Sequence, residues 1–277
     1  MDFIGLGAQK AGTSWIYACL YEHPEICMPF KEINFFSRER NWKKGLDWYK
    51  DRFKTCPKHK LKGEFSTSYL DSEIAAKRIY KYFPDVKLIA CLRNPIDRAF
   101  SNYKHDIKMG NISENTSFDE AIKKHKEYIK RGFYNQQLEQ YLKLFPRDQI
   151  LILIYEDIEK NPLKFIQKIY NFLNVDSSFV PFMLEKKVDV SRTPKLIFLD
   201  KIIRRIANFL RKIGLHKLVW LVKKTGAPEA IRRINTEKKK EIKLDKKTRE
   251  KLKKIFKEDT EKLSKMLGRD LTSEWLG

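Results

Sequence analysis

The chain has 277 residues, 42% of them hydrophobic and 13% aromatic, which is enough apolar material to bury a core and excludes a disordered polypeptide. No unbroken apolar run approaches the roughly 18 residues a membrane-spanning helix needs, so the expectation is a soluble chain. Fifty-eight lysines and arginines face 36 acids for a net charge of +22, a field that attracts phosphate, sulfate, acidic glycan, nucleic acid or anionic lipid without choosing among them.

In chain order, the segments Phe3–Leu6, Lys60–Phe65, Lys87–Leu92 and Gln149–Tyr155 are short, rich in apolar β-formers and bounded by turn or charged residues, and they read as strands. Helical patterns fall at Ser14–Glu22, Ser72–Tyr82, Pro95–Lys108, Phe118–Lys130, Tyr134–Phe145 and Leu163–Leu173. Strand and helix alternate, so the fold class is α/β, with a P-loop-like central parallel sheet flanked by helices. Beyond Val188 the pattern changes. Leu199, Ile202, Ile203, Ile206, Phe209, Leu210 and Ile213 recur at helical spacing with Lys201, Arg204, Arg205, Arg211 and Lys212 between them, and Glu237–Met266 forms a second charged helix with Leu244, Leu252, Ile255, Phe256 and Leu263 inward and Gly268 as its C-cap. The division expected is a core over residues 1–184 and a basic helical extension over 185–277, packed on the core and serving as a lid, an acceptor contact or a membrane-surface element; 28 basic and 13 acidic residues lie in the extension.

Cys19, Cys27, Cys56 and Cys91 show neither C-x-x-C spacing nor the density of a disulfide scaffold, and no basic-then-apolar leader precedes Phe3, which reads as a reducing, cytoplasmic setting. The five histidines sit at no ligand spacing with cysteine, so no metal site is expected.

The chemistry is concentrated in two places. The first strand runs into Gly7-Ala8-Gln9-Lys10-Ala11-Gly12-Thr13-Ser14 and then a helix, which sets backbone N–H groups, two hydroxyls and a lysine at a helix N-terminus, the composition of an anion cradle. The triphosphate-binding version places lysine after the second glycine and a carboxylate at another strand tip to hold magnesium. Here Lys10 precedes Gly12, and the strand Lys87–Leu92 ends in Arg93, a guanidinium suited to gripping a phosphate directly and bidentately.

Taken with Arg93-Asn94-Pro95-Ile96-Asp97-Arg98-Ala99-Phe100-Ser101, the chain resembles sulfotransferases that use 3′-phosphoadenosine 5′-phosphosulfate, in the pattern of bacterial members and of the enzymes that sulfate heparan. The likeness runs from Phe3 to about Val175. It implies that Gly7, Lys10, Ala11, Gly12, Thr13 and Ser14 hold the 5′-phosphosulfate and that Arg93 and Ser101 hold the 3′-phosphate. Lys31-Glu32-Ile33-Asn34-Phe35-Phe36, Gly45-Leu46-Asp47-Trp48-Tyr49, Gly63-Glu64-Phe65-Ser66-Thr67-Ser68-Tyr69 and Gly132-Phe133-Tyr134 resemble further family motifs in the family's order. The chain departs from the heparan pattern where Phe65 replaces a lysine facing the acceptor and Thr67 replaces a proline.

The resemblance makes Glu32 the general base that takes the acceptor's proton, in a loop where Phe30, Phe35 and Phe36 lower the local dielectric, with Lys31 tuning it. His105 is the rival base. Lys10 stabilises the leaving phosphate, where negative charge grows as the bond to sulfur breaks. Ser66 and Tyr134 are expected either to touch substrate or only to pack, and Arg192 and Lys195 to close a lid over the 3′-phosphate. The acceptor expected is a hydroxyl or amine of a glycan, lipid headgroup or small molecule, with an anionic membrane surface as a further partner and no specific nucleic acid. A P-loop kinase or NTPase shares the cradle, but the positions of Lys10 and Arg93 count against it; a basic module for nucleic acid or membranes shares the charge but leaves Glu32 and the ordered motifs unexplained.

Overall fold

The computed structural model describes residues 1–184, 193–194, 236–237 and 242–277. Five strands, β1 (Phe3–Gly7), β2 (Ile26–Cys27), β3 (Leu61–Phe65), β4 (Lys87–Leu92) and β5 (Ile150–Ile154), form one parallel sheet in the order β2-β3-β1-β4-β5. The chain passes from β1 to the edge strand β2, returns through β3 beside β1, and then crosses to β4 on the other side. This puts the switch point of the topology at the carboxyl ends of β1 and β4, where such sheets bind ligands.

Twelve helices accompany the sheet among the described residues: α1 (Thr13–Glu22), α2 (Glu39–Trp42), α3 (Gly45–Asp51), α4 (Glu73–Tyr82), α5 (Pro95–Met109), α6 (Phe118–Lys124), α7 (Glu127–Lys130), α8 (Tyr134–Leu142), α9 (Glu156–Lys160), α10 (Pro162–Leu173), α11 (Lys246–Leu267) and α12 (Leu271–Leu276). Their boundaries follow local chemistry. Asn94 caps α5 by accepting from the N–H groups of Ile96 and Asp97, with Pro95 as the first helical residue, and left-handed Gly110 ends that helix. Ser117 and Glu120 form a reciprocal capping box at α6.

Two expected helices are shorter than their patterns. Phe118–Lys130 divides at His125, which leaves the helical region so that a second short helix can bury Tyr128; Tyr134–Phe145 ends at Leu142. Glu237 belongs to a two-residue strand, β7 (Thr236–Glu237), paired antiparallel with β6 (Thr193–Pro194), and the helix expected from Glu237 begins at Lys246 under an Asp245 cap. It ends at left-handed Gly268, as expected. Leu252, Phe256 and Leu263 are buried, whereas Ile255, expected inward, faces solvent.

The C-terminal helices are part of the core. Leu263, Leu271 and Trp275 join the sheet's main apolar cluster, while Leu252 and Phe256 pack with Ile96, Tyr103 and Phe118 in a second one. The buried carboxylate of Asp259 on α11 accepts from the N–H groups of Asn135 and Gln136 at 3.0 and 3.3 Å, and so caps α8 from another segment of the chain. The basic amphipathic stretch around Leu199–Ile213, with Arg192 and Lys195, lies outside the described residues. Among the described residues no helix is long and apolar enough to cross a membrane.

One expectation is corrected outright. Cys27 on β2 and Cys56 beyond α3 form a disulfide across a sequence separation of 29, so the four cysteines are not all free thiols, and their spacing is no argument for a reducing compartment. Cys19 and Cys91 are buried and unpaired, with burial pushing the Cys19 thiol up to about 12.

Candidate active site

The anion loop occupies the switch point. Gly7 and Ala8 are buried at the end of β1, and Gly12, at φ +74, precedes the first turn of α1, a conformation that an L side chain rarely adopts. A Cβ at Gly12 would also lie 2.9 Å from the ring of Tyr155, so the position is closed to side chains on two counts. Gly12 offers no side-chain cap and the first turn of α1 holds no acid, which leaves the positive end of the helix directed at the loop. Ala11 and Thr13 are buried beside it and Ser14 is exposed.

Cations converge on this end of the helix. Arg93, at the tip of β4, donates from Nη1 to the carbonyl of Lys10 at 3.2 Å, and its guanidinium lies 4.5 Å from the ring centroid of Tyr155. Lys31 donates from Nζ to Ser14 Oγ at 2.6 Å. Burial holds the Lys10 ammonium below the ordinary lysine range, and the charges of Arg93, Lys108 and Lys31 add to the effect while Asp106 opposes it. Lys31 is lowered too, by burial, against the opposing pull of Glu32. A half-buried site with the four basic side chains Lys10, Lys31, Arg93 and Lys108 about it suits a multiply charged anion.

Ser101, half-buried on α5, stands two turns beyond Arg93, with His105 and Lys108 at helical spacing after it. Asp106 and Lys108 on this stretch of α5 act electrostatically on Lys10. His105 is half-buried there.

Glu32 is exposed on the loop between β2 and α2 and has φ +57. Its carboxylate accepts from Thr67 N at 3.2 Å and Thr67 Oγ1 at 3.0 Å, beyond the end of β3. Two of the three aromatic residues expected around it make their ring contacts in the core. Phe35 and Phe36 turn into the core against Tyr49 and Trp42, and Phe30 is 42% exposed with Arg52 over its ring, so polar groups of Thr67 hold Glu32 in their place.

The two residues expected either to touch substrate or only to pack, Ser66 and Tyr134, are both buried. Ser66 is fully buried, donates from Oγ to Glu64 Oε2 at 2.7 Å and accepts from Asn34 N at 2.9 Å, so its one donor is used inside the protein. Tyr134 is buried with its ring edge-on to Trp275, and burial pushes its hydroxyl well above the usual tyrosine range. Phe65, in place of the lysine of the heparan pattern, is buried over Gly5, whose absent side chain leaves room for the ring. Among the described residues, no group of His, Cys, Asp or Glu is arranged to hold a metal ion.

Sequence reasoning missed three residues. Tyr155 and Glu156 follow β5 at the same carboxyl edge as Arg93. Glu156 accepts from Asn94 N at 3.0 Å and from Trp275 Nε1 at 3.3 Å, which braces the Arg93 turn from the C-terminal helix. An aromatic-acid pair directly after an apolar strand of a parallel sheet was the available signal. The third, Glu64, lies in the Gly63–Tyr69 motif, which gave it no role of its own.

A family model described as "Sulfotransferase domain" matches residues 1–266. Among curated proteins, the chain is 31% identical over 193 residues to the human bifunctional heparan sulfate N-deacetylase/N-sulfotransferase 2, covering 62% of this chain and 22% of that protein. It is 29% identical over 181 residues to the mouse heparan sulfate glucosamine 3-O-sulfotransferase 5, covering 61% of this chain and 52% of that one. The chain thus spans between about a fifth and a half of the curated relatives it matches. Among solved structures, a sulfotransferase from Alicyclobacillus acidocaldarius superposes with a TM-score of 0.72 at 26% identity, covering 99% of this chain and 98% of that one.

Proposed function

Because the chain belongs to the sulfotransferase domain family, we propose that it transfers a sulfuryl group from 3′-phosphoadenosine 5′-phosphosulfate to a hydroxyl or amine, in line and directly. The observation that carries this reading is the pair of ties at the N-terminus of α1, Arg93 to the Lys10 carbonyl on one side and Lys31 to Ser14 on the other. They bring the two nucleotide motifs and the loop of Glu32 to one end of one helix.

In this reading the loop from Gly7 to Ser14 takes the 5′-phosphosulfate, and Arg93 and Ser101 take the 3′-phosphate. The bond from acceptor oxygen or nitrogen to sulfur forms as the bond from sulfur to the phosphate oxygen breaks. The electron pair of the broken bond stays on adenosine 3′,5′-bisphosphate, where Lys10 and the helix N-terminus meet the growing charge. The acceptor's proton goes to the carboxylate of Glu32. Glu32 is preferred over His105 because its own neighbour Lys31 is bound to Ser14 in the anion loop, which supports placing this loop beside the donor site. A triphosphate-transferring reading is disfavoured by the residues themselves, since Lys10 precedes Gly12 and Arg93 occupies the strand tip.

The acceptor class best supported is a glycan amine or hydroxyl. Two relatives are named for heparan sulfate, and a net charge of +22 suits a polyanionic chain. The test is incubation of the protein with donor labelled in the sulfuryl group and a panel of de-N-sulfated heparin, anionic lipid and simple phenols, read by mass spectrometry. Label in the polysaccharide is the expected result, and label only in lipid or phenol would move the acceptor to that class.

A further inference from the structure

Beneath Glu32 lies a second carboxylate. Glu64, at the end of β3, is 0% exposed, and three hydroxyls converge on it. Tyr49 Oη and Tyr69 Oη donate to Oε1 at 2.8 and 2.9 Å, and Ser66 Oγ donates to Oε2 at 2.7 Å. Two of these hydroxyls reach onward. Ser66 Oγ accepts from Asn34 N and Tyr69 Oη accepts from Phe35 N, both at 2.9 Å. A chain of carboxylate, hydroxyl and amide therefore runs twice from the sheet into the segment that carries Glu32.

That segment needs holding. Glu32 and Asn34 have φ values of +57 and +51, in the left-handed region that residues other than glycine keep only where their surroundings fix it. The polarity of the network explains why an acid stands at position 64. A carboxylate has only acceptors, so both hydroxyl protons point at Glu64 and both hydroxyl oxygens present lone pairs to the loop amides. A group with a donor on either side would reverse one of the links.

We propose that Glu64 is a positioning residue for sulfuryl transfer: through Ser66 and Tyr69 it fixes the left-handed turn that presents the Glu32 carboxylate to the acceptor. The inference rests on the reading of Glu32 as the base. The groups facing Glu64 are Tyr49 from α3, Ser66 and Tyr69 from the turn after β3, and Glu32 from the loop above. Burial raises its carboxyl to about 7, with Glu32 adding to the rise and the three hydroxyls opposing it. A protonated Glu64 must donate one hydrogen bond, which reverses one link, so turnover should fall on the acid side of neutrality.

The test uses the full chain and the variants Glu64→Gln, Ser66→Ala, Tyr69→Phe and Glu32→Gln. Hydrogen exchange is measured at the amides of residues 33–36, adenosine 3′,5′-bisphosphate affinity by calorimetry, and kcat and KM with de-N-sulfated heparin as acceptor probe from pH 5.5 to 8.5. Glu64→Gln should speed exchange at Asn34, Phe35 or both by about ten-fold and leave nucleotide affinity within about two-fold. It should lower kcat by about 10²-fold and lose the acid limb of the pH profile. Ser66→Ala should free Asn34 alone and Tyr69→Phe should free Phe35 alone, which keeps the network testable should Glu64→Gln not fold. Wild-type exchange at both amides in Glu64→Gln, or in the two single-link variants, overturns the proposal while leaving Glu32 as base. Turnover retained by Glu32→Gln removes the base reading, and the proposal falls with it.

Discussion

Arg93 and Lys10 are 83 positions apart, and the guanidinium of the first donates to the main-chain carbonyl of the second at 3.2 Å. The contact uses one of five guanidinium donors to fix the anion loop and leaves the rest of the fork beside the loop, with its plane against Tyr155. The two sequence motifs are thus one site, and each orders the other before any ligand arrives.

Lys10 meets the charge that develops on the leaving phosphate, so Lys10→Ala should lower turnover by about 10²- to 10³-fold and also weaken nucleotide binding. Burial and the neighbouring cations lower its folded-state value, so the charged form, and with it donor affinity, is lost as pH rises through a point below the ordinary lysine range. In Lys10→Arg that alkaline loss should move to higher pH. Calorimetric titrations across the alkaline range check both.

Glu64 links stability to pH. Its folded-state value of about 7 lies above the ordinary 4.5, so the stabilisation is fully present below about 4.5 and is lost as pH rises through about 7. The loss amounts to on the order of 3 kcal/mol. Urea unfolding at pH 5 and pH 8 should show that the difference between wild type and Glu64→Gln shifts in favour of the variant by this order as pH rises. An unchanged difference would mean that Glu64 does not titrate in this range.

Asp259 fastens the C-terminal helix to the start of α8. Asp259→Ala leaves the amides of Asn135 and Gln136 without their acceptor and should cost about 1–3 kcal/mol in denaturant unfolding. Nucleotide affinity should fall much less, because Asp259 does not line the anion loop.

Residues 192–240 carry 15 basic and 3 acidic side chains, and vesicle sedimentation tests them as a membrane contact. Binding to anionic vesicles should fall steeply as salt rises from low to physiological strength. Binding indifferent to both salt and lipid charge would assign the stretch no such role.

The sequence was informative where function depends on contiguous residues. Lys87–Leu92 is an apolar run closed by Arg93-Asn94-Pro95, and it forms the strand expected; the loop from Gly7 to Ser14 needs only its own order of residues to be recognised. It was uninformative where a role depends on partners far apart in the chain. Nothing local shows that Glu64 faces Tyr49, or that Cys27 meets Cys56. The hydroxyls of Ser66 and Tyr134 are of the right type for a substrate contact, and composition does not show that both residues are buried. The helix pattern across Phe118–Lys130 read through His125 because a continuous helix and a broken one have the same apolar spacing.

The most direct measurement is calorimetric titration of the protein with adenosine 3′,5′-bisphosphate and with AMP, without added metal, for wild type and Arg93→Ala. The bisphosphate should bind far more tightly than AMP to wild type, and Arg93→Ala should remove about 2–5 kcal/mol of that preference, the cost of breaking a desolvated charge pair. Equal affinity of wild type for the two nucleotides, or a preference that survives Arg93→Ala, would contradict the assignment of this site to a 3′-phosphorylated sulfuryl donor.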